Sequence, residues 1–281
     1  MVEGSSAQFL KYIILESEER EKMKVADKVI VVTGGASGIG EALCRRFSRE
    51  GAKAVVVVDM DEGGARGVAD EIGGFAINCD VRKEEQIIHV VEETEKRIGP
   101  IDMFCSNAGV ALEGVVDAPN EGWQRLWEIH VMAHVYAARA VIPGMIERGG
   151  GYLLNTVSAA GLLSQIGSGP YSVTKHGAVG LAEILAITYG DQGIKVSIIC
   201  PQAVRTAMTR EGGGVAAVDG LMDPEVLADS VIQGLEEERF LILPHPEVRT
   251  YMQRKVSDYD RWIHGMRRLR KRYLEGEALK V

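Results

Sequence analysis

The stretch VIVVTGGASGIG, residues 29–40, decides the fold that the sequence predicts. Its first four residues form a continuous apolar run, which is typical of a strand buried on both faces of a parallel sheet. Gly34, Gly38 and Gly40 then occupy a turn into a predicted helix. The N-terminus of a helix presents unpaired N–H groups and a partial positive charge, and glycine lets the backbone approach a diphosphate closely. A nucleotide site is one interpretation of this turn, and a purely structural turn is the other.

The rest of the chain continues the alternation of strand and helix. Several runs of Val, Ile and Leu are continuous, and longer helical segments separate them. This rhythm predicts an α/β fold, a single domain with a doubly wound parallel sheet of about seven strands and helices on both faces. The predicted strands are 28–33, 54–59, 74–78, 102–106, 151–157, 195–200 and 239–243, and the predicted helices include 38–50, 84–98, 121–147 and 170–190. We expect three parts: an N-terminal extension at 1–25, a catalytic domain at 26–245 and a basic helical tail at 246–281.

Asp59 closes the second predicted strand, about twenty residues after the glycine turn. There a carboxylate accepts hydrogen bonds from the adenosine ribose hydroxyls of a dinucleotide. It would repel a 2′-phosphate, and neither Ser37 nor Met60 supplies a cation to offset that repulsion. The expected cofactor is therefore NAD rather than NADP. The alternative for Asp59 is a polar cap on a strand end.

Two further strand ends carry polar residues. Asp80-Val81 follow the third predicted strand, and Asn107-Ala108-Gly109 follow the fourth. In an open parallel sheet the carboxyl ends of the strands line the ligand crevice. We expect Asp80 to meet the adenine amine and Asn107 to hold neighbouring strand backbones together, although each is an ordinary turn residue in isolation.

Tyr171 and Lys175 are four residues apart in a predicted helix and therefore share one face of it. A free phenol has a pKa of about 10, and a nearby ammonium group lowers it by stabilising the phenolate. Tyr171 would then take a proton from an alcohol or return one to a carbonyl. Ser158 would hold the same substrate oxygen by a hydrogen bond. No metal is expected, because the cysteines and histidines lack metal-ligand spacing.

Residues from about 28 to 245 resemble the short-chain dehydrogenase/reductase family. The resemblance is carried by TGGASGIG at 33–40, Asp80-Val81, Asn107-Ala108-Gly109, Ser158 and YSVTK at 171–175. It implies a Rossmann-type sheet, with Tyr171 as acid/base, Ser158 as donor to the substrate oxygen and Lys175 on the nicotinamide ribose as well as near Tyr171. It further implies that the Val204 backbone and the Thr206 side chain meet the carboxamide. The residues then expected to bind the cofactor are Gly34, Ser37, Gly38, Ile39, Gly40, Asp59, Met60, Asp80, Val81, Asn107, Ala108, Gly109, Tyr171, Lys175, Val204 and Thr206.

The chain departs from the family pattern at three places. His130 stands where the family usually has an asparagine that supports a water relay to the lysine, so structural tolerance, an altered relay and a dead enzyme are all open. Gln202 follows Pro201 where glycine is usual, and its side chain could project toward the substrate. The family's Gly-rich C-terminal segment is replaced by the tail. A homodimer through helices 121–147 and 170–190 is expected, and tetramerisation is in doubt.

Three segments leave alternatives open. A short helix at 7–24 would dock on its own domain or on a partner subunit, or lie on a membrane surface. The irregular segment 205–223 is a substrate lid or a passive surface loop. The tail docks on the body or on a partner, or contacts a membrane through its basic face.

The amino-acid composition limits the classes of function that are expected. The 281 residues are 46% hydrophobic and carry a formal net charge of −8, which argues against nucleic-acid binding. Four cysteines without CxxC pairing indicate buried thiols in a reducing compartment. No secretory signal or membrane-spanning run is evident, so a cytoplasmic location is expected.

These observations predict an oxidoreductase that moves a hydride between NAD and a secondary alcohol or ketone. An apolar substrate of the steroid, retinoid, prostanoid or aromatic-alcohol type is expected, because the candidate lid and crevice carry Leu162, Leu163, Ile166, Met208, Val215, Leu221 and Met222. The alternative is a catalytically weak NAD-binding protein that regulates or scaffolds.

Overall fold

A computed structural model of the chain describes residues 23–209 and 213–275. Within these residues the strands are β1 Val29–Thr33, β2 Ala54–Asp59, β3 Phe75–Asn78, β4 Met103–Ser106, β5 Gly151–Thr156, β6 Ile194–Ile199 and β7 Leu241–Ile242. They form one parallel sheet in the order β3-β2-β1-β4-β5-β6-β7. The predicted doubly wound sheet is thereby confirmed.

The helices lie between the strands and after the last of them. They are α1 Gly38–Arg49, α2 Glu62–Ile72, α3 Glu84–Arg97, α4 Asn120–Trp127, α5 Ala133–Glu147, α6 Ala160–Leu163, α7 Gly169–Tyr189, α8 Pro224–Glu236, α9 Glu247–Ser257 and α10 Tyr259–Leu274. A π-helical turn at Glu128–Met132 joins α4 to α5, and 3-10 turns lie at Gly190–Gln192, Ala207–Thr209 and Gly214–Ala217.

Both faces of the sheet are buried at its centre, as the continuous apolar runs predict, whereas the edge strand β3 is mostly exposed. Alternate residues of β1 face opposite ways: Val31 belongs to one apolar cluster, and Ile30 and Val32 belong to the other. Helices α3, α5 and α7 cover the first face, and α1, α2 and α8 cover the second. Each fully buried Val or Ile side chain contributes about 1.5–3 kcal/mol to stability, which favours β-branched residues at these positions.

The predicted boundaries agree with the structure to within a residue or so, with two exceptions. The last strand is shorter than 239–243, because it is an edge strand that pairs only with β6 and is followed by Pro244. The helix predicted over 121–147 is interrupted by the π-helical turn, in which the N–H of Ala133 donates to the carbonyl of Glu128. Such turns are frequent at functional sites.

The strand order determines where the ligand-binding crevice lies. The chain moves outward from β1 to β3, then returns to the other side of β1 with β4. A crevice therefore opens beyond the carboxyl ends of β1 and β4, where ligands bind in open parallel sheets. The polar strand ends of the sequence all fall at this edge.

One helical stretch in the described residues, Asn120–Glu147, is long and apolar enough to span a membrane by length and composition. Its most apolar window is 56% buried inside the protein. Val141 and Met145 pack into the core beneath the sheet. The apolar character of this stretch is therefore explained by its place in the core.

Of the alternatives for the tail, docking on the body is the one seen. Val248 of α9 is fully buried against Ala159 and Leu163, and Trp262 of α10 packs on the same cluster. The Lys255 ammonium donates to the carbonyl of Leu162 at 2.6 Å. The helix predicted at 7–24 lies outside the described residues except for its last two positions.

Candidate active site

The glycine turn lies between the end of β1 and the start of α1. The backbone φ is +67° at Gly34 and +57° at Gly38, in the left-handed region that favours glycine. A Cβ at Gly40 would lie 2.0 Å from the Gly34 carbonyl oxygen and 2.6 Å from Asn107 Nδ2. The turn is thus packed so closely that residue 40 has no room for a side chain, and the positive end of α1 is directed at the crevice.

Asp59 lies beside this turn. One carboxylate oxygen accepts a hydrogen bond from the N–H of Ala36 at 3.1 Å, and the other accepts from the N–H of Asp61 at 3.0 Å. Met60 is 61% exposed and supplies no charge. The carboxylate is thereby fixed at the rim of the crevice.

Asn107 ties β4 to β1. Its Nδ2 donates to the Thr33 carbonyl at 3.0 Å and to the Gly34 carbonyl at 3.3 Å. The Thr33 hydroxyl accepts in turn from the N–H groups of Asn107 and Ala108, at 2.9 and 3.2 Å. Asn107 Oδ1 is buried and has no hydrogen-bond partner among the residues that the structure describes.

Asp80 was expected to meet the adenine amine of the cofactor, and in the structure its carboxylate is bound by an arginine. Both of its carboxylate oxygens accept hydrogen bonds from the Arg82 guanidinium, at 2.9 and 2.6 Å. Those bonds lower the pKa of Asp80 despite partial burial. Arg82 also lines the crevice, and the sequence analysis missed it because a cation two residues beyond a strand end has no distinctive spacing.

The crevice is a cavity of about 610 Å³. Every residue expected to bind the cofactor lines it, from Gly34 and Ser37 through Ile39, Val81 and Gly109 to Val204 and Thr206. Ser158, Tyr171 and Lys175 lie at one end of it. Sequence positions more than a hundred residues apart therefore meet in one site.

Lys175 is held below Tyr171 on α7. Its ammonium group is buried, donates to the Thr156 carbonyl at 2.9 Å and lies 5.7 Å from the centroid of the Tyr171 ring. Burial lowers the pKa of Lys175 to about 8. Ser158 Oγ accepts from the N–H of Ala160 at 3.1 Å, which orients the hydroxyl at the end of β5.

The pKa of Tyr171 is raised, whereas the sequence pattern predicted that Lys175 would lower it. Burial of the phenol is the largest cause, and hydrogen bonding to Ser158 opposes it. Tyr171 is therefore a neutral phenol at neutral pH. That form can donate a proton to a carbonyl oxygen.

His130 lies behind Tyr171, within the π-helical turn, and does not line the crevice. The N–H of Val110 donates to His130 Nε2 at 3.2 Å, so the neutral ring carries its proton on Nδ1 and donates it to the Thr174 hydroxyl at 2.9 Å. Its ring meets Tyr171 edge-on at 5.4 Å. Burial, with Lys175 and His134 nearby, holds the pKa of His130 well below its usual value.

His134 lies one turn further along, on α5, and is also buried. Neither of its ring nitrogens has a hydrogen-bond partner within residues 23–209 and 213–275. Burial and the nearby Lys175 charge lower its pKa to about 3. The sequence analysis did not single it out, because a histidine in an apolar helix usually fills core space.

At Gln202 the backbone does not enter the left-handed region, which explains why glycine is dispensable there. Its N–H donates to His245 Nδ1 at 3.2 Å. Its side-chain oxygen is buried without a partner. Gln202 and Ser158 both line the crevice and a second cavity next to it.

The second cavity has a volume of about 650 Å³ and leads away from Ser158. Of the apolar residues expected to face the substrate, Leu163 and Val215 line it, and Met208 lines the cofactor crevice instead. The segment 205–223 thus contributes to the walls of both cavities. The opposite wall comes from the tail, which the sequence analysis had not connected with the substrate: Tyr251, Trp262, Met266 and Leu269.

Comparison with known proteins identifies the class. The short chain dehydrogenase family model matches residues 28–213. The 1-deoxy-11-beta-hydroxypentalenate dehydrogenase of Streptomyces exfoliatus is 31% identical over 257 residues, covering 86% of this chain and 91% of that protein. Epidermal retinol dehydrogenase 2 of Mus musculus is 28% identical, covering 84% and 80%.

Solved structures agree. A short chain dehydrogenase/reductase from Burkholderia phymatum in complex with NAD has a TM-score of 0.76 and 25% identity, covering 85% of this chain and 96% of that one. The 3-ketoacyl-(acyl-carrier-protein) reductase of Brucella melitensis, complexed with NADH, has a TM-score of 0.72 and 27% identity, covering 79% and 96%. The chain belongs to the short-chain dehydrogenase/reductase family and is an oxidoreductase of alcohols and ketones.

Proposed function

We propose that this protein is an NAD-dependent dehydrogenase/reductase of an apolar secondary alcohol or ketone. The observation that carries the proposal is that Ser158 lies where two cavities meet, at the end of the cofactor crevice that Tyr171 and Lys175 also line. One cavity has the lining of a dinucleotide site. The other is mostly apolar and large enough for a small hydrophobic molecule.

The residues present fit NAD. The close-packed turn at Gly40 leaves no room for a side chain, and the crevice is also lined by Asn107, whose buried Oδ1 has no partner in the described part of the chain. The carboxylate of Asp59 favours ribose hydroxyls over a 2′-phosphate. Two structural neighbours were solved with NAD or NADH, which supports the same choice.

The chain's own groups supply the proton chemistry. Bound NAD supplies the hydride acceptor, and NADH the donor. Ser158 holds the substrate oxygen by a hydrogen bond, and Tyr171 donates a proton to it in carbonyl reduction or removes one in alcohol oxidation. Lys175, fixed by the Thr156 carbonyl, would hold the nicotinamide ribose and places a positive charge near the phenol.

For His130 we propose a positioning role. Both of its ring nitrogens have protein partners, so the ring has no free nitrogen with which to hold a relay water. Through Thr174 it fixes the first turn of α7, which carries Tyr171. This favours structural tolerance among the alternatives that the sequence left open.

We also propose a cytoplasmic homodimer. Ile184 and Ile187 are 55% and 77% exposed on α7, and Trp127 at the end of α4 is 41% exposed. Such exposed apolar side chains on α4 and α7 support an interface between copies. All four cysteines are buried free thiols, which supports a reducing compartment. Light scattering after gel filtration checks the dimer.

The test of the function compares Tyr171→Phe and Ser158→Ala with the matched control Tyr189→Phe. Turnover is measured with NADH over a panel of apolar ketones, and NADH binding is measured by fluorescence. We expect Tyr171→Phe to keep NADH binding and to lose about 10²–10⁴-fold in turnover, the usual share of acid/base catalysis. Wild-type turnover in Tyr171→Phe would refute the acid/base role. Tight NADH binding without turnover by the wild type would favour the regulatory alternative.

A further inference from the structure

Three arginines stand on one side of the second cavity. Arg254 lies on α9, and Arg261 and Arg268 lie on α10. Residues seven apart in a helix are two turns apart and share a face. The two α10 guanidinium groups therefore rise from the same face of that helix, above a cavity that begins at Ser158.

These arginines lack acidic partners among the residues that the structure describes. Elsewhere in those residues arginines commonly pair with carboxylates, as Arg45 does with Glu71. None of the salt bridges of residues 23–209 and 213–275 includes Arg254, Arg261 or Arg268. The Arg254 guanidinium stands over the Tyr251 ring in a cation–π contact, at 5.9 Å from the ring centroid.

Two carboxylates close to this part of the tail are otherwise engaged. Asp219 accepts two hydrogen bonds from the Tyr251 hydroxyl, at 3.0 and 3.1 Å. Asp258 caps α10 by accepting from the backbone N–H of Arg261 at 2.9 Å. The positive charge at this rim is thus left without a salt bridge in the described part of the chain.

The positive charge is concentrated in the C-terminal segment. The whole chain has a formal net charge of −8, but the segment 246–281 contains ten Lys and Arg residues against five Asp and Glu residues. A small anion would be repelled by the protein as a whole and attracted at the cavity rim. Guanidinium groups bind carboxylate and phosphate oxygens in a paired, directional way.

The cavity therefore has three zones. Ser158 and Gln202 mark the reactive end, and Leu163, Val215 and Trp262 form an apolar middle. The arginines form a cationic rim. We propose that the substrate is an amphiphilic anion, an apolar secondary alcohol or ketone whose far end carries a carboxylate, sulfate or phosphate bound by Arg254, Arg261 and Arg268. This inference rests on the proposed function and narrows its substrate class.

The test uses matched pairs that differ only in charge: 3-oxo-5β-cholanoate and 12-oxooctadecanoate, each beside its methyl ester. Affinity is measured by quenching of tryptophan fluorescence, since Trp262 lines the cavity, and turnover is measured with NADH. We compare the wild type with the triple variant Arg254→Gln/Arg261→Gln/Arg268→Gln. The control is Arg249→Gln/Arg267→Gln/Arg270→Gln, which loses the same charge from exposed positions of the same helices outside the cavity.

We expect the wild type to bind at least one acid about tenfold more tightly than its ester. Each arginine should contribute about 2- to 5-fold, the range of exposed ion pairs. The triple variant should raise KM for the acid while leaving kcat and the ester nearly unchanged, and the control should behave as the wild type.

Equal affinity for acid and ester in every pair, absence of binding included, would overturn the proposal. A control variant that is impaired as much as the triple variant would also overturn it. The same holds if the triple variant loses binding to anionic lipid vesicles and nothing else. Ester turnover in all variants reports the NADH-dependent reaction separately. The substrate inference can therefore fail while the proposed function stands.

Discussion

Lowering the pH should reduce the folding stability of this protein through protonation of His134. Replacing His134 with leucine should remove the contribution that this residue makes to the pH dependence. The imidazole is 3% exposed, and its pKa is about 3 in the folded protein against an ordinary 6.5. Because the folded pKa lies below the unfolded one, the unfolded chain binds a proton that the folded protein excludes. The stabilising contribution is present above pH 6.5 and is lost as the pH falls toward about 3.

The magnitude follows from this window. Each unit of pH below 6.5 costs about 1.4 kcal/mol of folding free energy per excluded proton. Between about pH 7.5 and about pH 5 the loss from His134 alone is therefore about 2 kcal/mol. The free energy of unfolding of His134→Leu relative to wild type should rise by that amount over this range.

Urea unfolding followed by far-UV circular dichroism, at one protein concentration and ionic strength, measures this difference. Met145→Leu is the matched control, because it is a conservative change in a fully buried, non-titrating side chain of the same helix. Its effect should be the same at both pH values. A difference between His134→Leu and wild type that stays constant with pH would show that the folded protein accepts this proton, and the account of burial would be wrong.

Three further changes probe the site. Gly40→Ala should weaken NAD binding at least about tenfold, because the new Cβ would lie 2.0 Å from the Gly34 carbonyl oxygen. An unchanged affinity in a fluorescence titration would contradict the close packing of the turn. Asp59→Asn should reduce the preference for NAD over NADP about tenfold or more, since the charge that repels a 2′-phosphate is gone. A wild-type protein that prefers NADP would refute the role of Asp59. Thr174→Val should cost about 1–3 kcal/mol of stability by leaving the His130 Nδ1–H without an acceptor, and an unfolding free energy equal to wild type would argue against that hydrogen bond.

The sequence predicted most of the fold because the signals were local. Continuous Val and Ile runs are typical of parallel strands, and β2 falls on the predicted residues 54–59. The glycine turn and Asp59 were recognisable because their spacing follows from one strand-turn-helix unit. The structure brings these residues to one crevice with Ser158, Tyr171 and Lys175, at the sheet edge that parallel topology requires.

What the sequence could not supply depends on packing between distant segments. The tail was recognisable as an amphipathic basic helix, but nothing in its pattern placed Trp262 or Arg261 at the substrate cavity. The pKa of Tyr171 was expected from one charged neighbour, whereas burial by many residues outweighs that neighbour. The partners of His130 come from the backbone of Val110 and from α7, so no local spacing revealed them.

The central claim is that Tyr171 supports direct hydride transfer between NADH and a substrate carbonyl. It is tested most directly by incubating the enzyme with NADH deuterated at nicotinamide C4 and an apolar ketone that it reduces, then locating the deuterium by mass spectrometry. Using both C4 epimers, we predict deuterium on the new carbinol carbon from one epimer with the wild type, and about 10²–10⁴-fold less of this deuterated carbinol over the same time with Tyr171→Phe. Carbinol formed by the wild type without deuterium from either epimer, or as much deuterated carbinol from the variant as from the wild type, would contradict the account.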